Sequence, residues 1–142
     1  MSRAFISEEA EAAKAAERPE RPVTPGPNPV TPAGHAHILA EVARLRAAGP
    51  DAQRDLRYWL VRAASAQPVP PPEAPTEVTF NTRVNLSNGA NWHIVGEDEA
   101  DPAQGRLNWA SPLAQALIGA CPGEEVALPG RPALTIMAIS PG

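Results

Sequence analysis

The sequence predicts an α+β chain, a short antiparallel helical hairpin followed by an antiparallel sheet with one helix on a face. Three observations carry this. Apolar residues recur at helical spacing over residues 31–67, then alternate with period two from Val78 onward. The two regions are separated by PVPPPEAP, residues 68–75, too rich in proline for either a helix or a central strand. A single further helix start, Ser111-Pro112, lies among segments that otherwise read as strands.

Residues 1–30 read as a proline-rich, extended or disordered N-terminal arm. Within it SEEAEAAKAAE favours a short transient helix, because Ala, Glu and Lys are strong helix formers. RPERPVTPGPNPVTP then places a proline every two or three residues, which excludes helix. Residues 31–67 form the hairpin. Thr31 is placed to cap the first helix and Pro32 suits its first turn, with Ile38, Leu39, Val42 and Leu45 on one face. Gly49-Pro50 ends that helix and opens a second, carrying Leu56, Trp59, Leu60 and Ala63 to about Gln67. At about 15 residues per helix and 1.5 Å per residue, the hairpin is roughly 23 Å long. Residues 68–76 are a semi-rigid linker.

Residues 77–142 carry the sheet. Val78, Phe80, Thr82, Val84 and Leu86 alternate with polar residues as a half-buried strand. Asn88-Gly89 turns the chain into a return strand over Asn91–Val95. GEDEADPAQG interrupts the pattern, and Arg106–Ala110 is a third strand. The helix opened by Ser111-Pro112 runs to Gly119, and Glu125–Leu128 and Ala133–Ile139 supply two more strands around a Pro-Gly turn.

Charge and composition exclude several functions. The formal charge is −4, against a protein that coats nucleic acid by itself. Residues 31–67 hold five arginines against three acids, and residues 68–142 three arginines against eight acids, so the two units are suited to different surfaces of a partner. Cys121 is the only cysteine; it reads as a small buried apolar residue, with no disulfide or cysteine-based zinc site. No apolar run reaches membrane-spanning length and no secretory signal is evident, so a cytoplasmic protein without membrane contact is expected.

Candidate chemistry is sparse. GEDEAD, residues 96–101, holds four carboxylates in six residues, but contiguous side chains diverge and cannot converge on one ion. Nor do acids within one turn flank a cleft as a hydrolytic pair must, so a solvated inter-strand loop is the reading. His35, His37 and His93 lack metal-ligand spacing and read as polar side chains facing solvent. No glycine-rich phosphate loop or nucleophile elbow occurs. Asp51 and Asp55, four apart at the start of the second helix, either favour its N-terminus electrostatically or present a carboxylate pair at the hairpin tip.

The run IVGEDEADPAQGRLNWASPLAQALIGACPGEEV, residues 94–126, resembles the C-terminal domain of bacterial Gre-type transcription elongation factors. That family shows a VG-x-x-EAD loop, SPLA-x-ALLG and VGDEV. Here Gly96, Glu99, Ala100, Asp101, Ser111, Pro112, Leu113, Ala114, Ala116, Leu117, Gly119, Gly123, Glu125 and Val126 stand in register with it. VTPAGHAHILAEVARL is similar to the family's N-terminal MTPEGY-x-x-L-x-x-EL, so the likeness covers about residues 30–140.

The resemblance implies an FKBP-like C-terminal fold and a partner, RNA polymerase, gripped at the coiled coil of the largest subunit that rims the secondary channel. Nucleic acid would then be met only through polymerase. Asn108, Trp109, Ala110, Ser111 and Pro112 fall at the implied contact, with Ala110 standing where well-studied members have Asp or Asn. The resemblance makes Asp51 and Asp55 the hairpin-tip acids, which in the family help hold a magnesium ion of the polymerase. The family hairpin is much longer, and each missing residue withdraws the tip by about 1.5 Å. In this the chain is similar to the short-hairpin Rnk subgroup, which binds polymerase without inducing cleavage. The expectation is therefore a monomeric polymerase-binding regulator, not itself an enzyme, without cofactor or metal, that competes with full-length Gre factors. The alternatives are a true cleavage factor acting through Asp51 and Asp55, or a peptidyl-prolyl isomerase.

Overall fold

A computed structural model describes residues 19–142. The helix expected over residues 7–17 lies outside the described residues. From residue 19 the arm runs without regular structure to a three-residue strand, β1 (Asn28–Val30). Helix α1 (Pro32–Arg46) follows, with Thr31 accepting a hydrogen bond from the Gly34 amide as its N-cap, as the Thr-Pro signature requires. After the Gly49 turn, Pro50–Ala52 form a 3₁₀ turn and α2 covers Gln53–Ser65. α1 and α2 pack through Val42, Leu45 and Leu56, with Ala52, Trp59 and Ala63 at the edge of the cluster.

The chain leaves α2 into β2 (Ala66–Pro68), where the sequence suggests the last helical turn and the start of a tether. β2 pairs in parallel with β1, Asn28 opposite Ala66 and Val30 opposite Pro68. The Val69 amide then donates to the Val30 carbonyl at 2.8 Å. The proline-rich segment is thus tied at its start to the strand that precedes α1. Prolines are tolerated because this two-stranded ladder has no inner strand.

The second unit is a five-stranded sheet in the order β5-β4-β3-β7-β6. Its strands are β3 (Thr82–Leu86), β4 (Asn91–Val95), β5 (Arg106–Asn108), β6 (Glu125–Val126) and β7 (Leu134–Pro141), with α3 (Pro112–Leu117) after β5. β3 pairs antiparallel with β4 and β7. β4 and β5 pair in parallel, His93 opposite Arg106, because the acidic loop and a 3₁₀ turn carry the chain back to the same end. The antiparallel expectation therefore fails at this one pair. Val78, Val84, Leu86, Ile94, Leu107, Ala114, Leu117 and Ile136 form the buried core, aliphatic as the scarcity of aromatics requires.

Two local expectations are corrected. The first strand begins at Thr82, not Val78, because Asn81 adopts a left-handed conformation, φ 61°, and reverses the chain. Its side chain justifies the position by donating to the Val69 carbonyl at 2.8 Å and meeting His93 Nε2 at 2.8 Å. Cys121 is half-buried rather than buried.

Candidate functional site

Two regions hold the candidate residues, and a third that the sequence reading discounts joins them. The first is the turn between β5 and α3. Asn108 ends β5 and its side-chain oxygen accepts from the Ala110 amide at 2.9 Å, a local turn that Asn favours. Ala110 is exposed, and Ser111 caps α3 by accepting from the Ala114 amide at 3.2 Å. Trp109 is half-buried against the sheet core, its carbonyl accepting from Gln115 at 2.8 Å. Pro112 is exposed at the first position of α3. Ser111 and Pro112 border a cleft of about 470 Å³ whose other walls include Trp92, Leu107, Leu113 and Arg131. Trp92 and Arg131 reach this site from β4 and from the loop before β7. No linear motif marks them.

The second region is the tip of the helix pair. Asp51 is exposed on the 3₁₀ turn. Asp55 sits in the first turn of α2 and pairs with Arg21 of the N-terminal segment at 3.3 Å and with Arg54 at 3.7 Å. The Arg21 guanidinium also lies 3.9 Å from the Tyr58 ring centroid. Two residues beyond Asp55, Arg57 donates three hydrogen bonds to the Glu20 carboxylate from Nε and Nη2, the shortest at 2.6 Å. The proline-rich segment thus lies along α2. Among the described residues no group of three or more His, Cys, Asp or Glu side chains is arranged to hold a metal ion.

The third region overturns the reading of GEDEAD as a solvated loop. Asp98 has only 6% of its side chain exposed and accepts from Arg62 Nε at 2.7 Å and from the Tyr58 hydroxyl at 2.5 Å. Arg62, 3% exposed, also donates to Asn28 Oδ1 at 2.7 Å and pairs with Glu97 at 2.9 Å. Asn28 closes the network by donating to the Arg62 carbonyl at 3.0 Å, satisfying an end group of α2. Glu99 accepts from the Thr31 hydroxyl at the start of α1. Only Asp101 keeps to its own loop, pairing with Arg106 at 3.6 Å.

Contiguous acids do diverge, and that divergence lets them grip several elements at once. Burial and the bond to Asp98 push the Tyr58 hydroxyl up to about 12. Gly96 is required in this joint, because a Cβ there would fall 2.6 Å from the Pro29 carbonyl oxygen. The sequence reading missed Arg62 and Tyr58 because their partners lie 36 and 40 residues away.

The histidines differ as well. His93 is half-buried, and burial together with Arg83 holds it below its ordinary value, while His37 meets the edge of Trp59 at 5.8 Å. His93 lines a polar cleft of about 490 Å³ with Thr31, Asn81, Arg83, Glu99 and Arg106, where α1 meets the sheet.

Comparison with known proteins follows the same division of the chain. Residues 73–141 match the family model described as the C-terminal domain of transcription elongation factors GreA/GreB. Transcription elongation factor GreB of Neisseria meningitidis is 38% identical over 95 residues, covering 61% of this chain and 58% of that protein. Transcription elongation factor GreA of Polaromonas naphthalenivorans is 41% identical over 78 residues, 49% of each chain. The chain spans about half the length of the curated relatives it matches.

Among solved structures, a GreA/GreB factor from Nitrosomonas europaea is similar at TM-score 0.38 and 22% identity, covering 80% of this chain and 98% of that one. Gfh1 of Thermus thermophilus is similar at TM-score 0.39 and 17% identity, covering 80% and 99%. At these scores the structural likeness carries no argument, and the similarity rests on sequence. The relatives are named as transcription elongation factors, and this overturns the expectation of a chain that is not an enzyme. Over residues 73–141 the chain is thus similar to the C-terminal domain of the GreA/GreB transcription elongation factors.

Proposed function

We propose that the chain is a regulator of RNA polymerase, docking through residues 77–142 as an FKBP-like domain. The hairpin of residues 31–67 then stands in the mouth of the secondary channel, with 1–30 as an arm and 68–76 as a linker. Asn108, Trp109, Ala110, Ser111 and Pro112 make the polymerase contact, and the half-buried Trp109 and exposed Pro112 supply apolar surface in place of the carboxylate that Ala110 lacks. Asp51 and Asp55 are the hairpin-tip acids. The protein acts as a cytoplasmic monomer and meets nucleic acid only through polymerase.

One observation carries this reading. A Gre-type C-terminal domain over residues 73–141 is joined to helices of only 15 and 13 residues. At 1.5 Å per residue the longer helix spans about 22 Å. The short projection occupies the channel without carrying its acids to the active centre, so the protein competes with full-length Gre factors and lowers the cleavage they stimulate.

Cleavage of nascent RNA in a backtracked polymerase complex tests this. Added protein is expected to reduce GreA-stimulated cleavage in proportion to its concentration, and Asp51→Asn/Asp55→Asn is expected to reduce it equally. Cleavage stimulated by the protein alone, and abolished in that double variant, would favour the cleavage-factor reading instead.

A further inference from the structure

We propose that Arg62, held by Asp98 and Glu97, is a positioning residue that fixes the direction in which the helix pair projects from the sheet. The two units have separate apolar clusters, Val42, Leu45 and Leu56 in one and the sheet core in the other. Apolar contact is non-directional in any case. A guanidinium is directional, because its donors form a rigid planar fork.

Arg62 projects from α2, nine residues beyond its first residue, Gln53, and its donors tie that helix to two other elements, β1 and the loop after β4. Nε meets Asp98 of the loop after β4, at 2.7 Å. Nη2 meets Asn28 of β1 at 2.7 Å and Glu97 at 2.9 Å. Tyr58, one turn earlier on α2, holds the other oxygen of Asp98 at 2.5 Å. Rotation of the helix pair about its base would break several of these bonds together. With Arg62 and Asp98 3% and 6% exposed, water has little access to replace them.

The loop that supplies these acids returns through residues 102–105 into β5, whose end is the Asn108–Pro112 turn. The joint is therefore continuous with that turn. If the turn is the polymerase contact, which rests on the proposed function, the joint sets where the helix tip points once the protein is docked.

Spin labels on Ala48→Cys at the tip and Ala127→Cys just beyond β6, in a Cys121→Ser background, report the tip-to-sheet distance by pulsed dipolar spectroscopy. Asp98→Asn, nearly isosteric, weakens the joint; Arg62→Met/Asp98→Asn removes both buried charges and leaves Glu97, 33% exposed, to solvent and the Thr24 hydroxyl. The expected result is a narrow distribution in the parent and one at least twofold wider in both variants, with circular dichroism unchanged. A distribution as narrow as the parent's in folded variants overturns the proposal and leaves orientation to the β1–β2 ladder. Should the double variant fail to fold, Asp98→Asn alone decides.

Binding to core RNA polymerase, with and without GreA, gives the second readout. With its helix pair no longer directed into the channel, the double variant is expected both to bind core and to compete with GreA at least tenfold less well than the parent. A parent that does not bind core polymerase would defeat the proposed function while the distance measurement still decides the joint. Equal competition by parent and double variant would overturn the positioning role.

Discussion

At the level of single residues, the joint is held by side chains whose chemistry is ordinary and whose placement is not. Tyr58 is the chain's only tyrosine, so its ionisation can be followed directly by ultraviolet absorbance. Its hydroxyl is half-buried and donates to Asp98, and burial, followed by that bond, raises its ionisation to about 12. A group whose folded value lies above its unfolded value near 10 stabilises the fold fully below pH 10. That contribution is lost as pH rises towards 12. The native protein is therefore expected to titrate at 295 nm well above the urea-unfolded chain, and Asp98→Asn to narrow the gap. Coincident titrations would mean that Tyr58 is not held in this contact. Arg62 shows why neither residue could be assigned from the sequence: an arginine at a helical position reads as a solvated charge, and only a partner 36 residues away makes it a buried one.

Among the elements, those with local chemistry were legible and those made by distant pairing were not. Thr31-Pro32 and Ser111-Pro112 each start a helix where the sequence indicates, because capping is settled within three residues. Asn88-Gly89 likewise turns β3 into β4. β1 and β2 went unrecognised, as each is three residues long, contains proline, and exists only by pairing with the other across the helices. The parallel β4–β5 pair escaped for the same reason. Gly96 ties one such pairing to the acidic loop, and an added Cβ would fall 2.6 Å from the Pro29 carbonyl oxygen. Gly96→Ala is expected to cost about 1–3 kcal/mol, the usual range for overpacking. A lowered urea midpoint with an unchanged slope would show this, whereas an unchanged midpoint would mean that β1 can withdraw without loss.

For the whole molecule, the question is whether the helix pair and the sheet stand or fall together. Isolated helices of this length are marginal in water, and among the described residues the pair's own buried cluster is Val42, Leu45 and Leu56. Much of its support comes from β1–β2, from the Thr31–Glu99 contact and from the Arg62 network. Calorimetry is expected to show one transition with equal calorimetric and van't Hoff enthalpies. Two resolved transitions would mean that the joint does not couple the units. By itself the sequence determined the helix starts, the aliphatic core, the order of units and the Gre-type motif of residues 94–126, since each is written in neighbouring residues or in a recognisable run. Only the tertiary structure decided what GEDEAD does. Four adjacent carboxylates point in different directions, so their meaning lies in what surrounds them, and folding brings Arg62, Tyr58 and Thr31 there from the far side of a proline-rich segment.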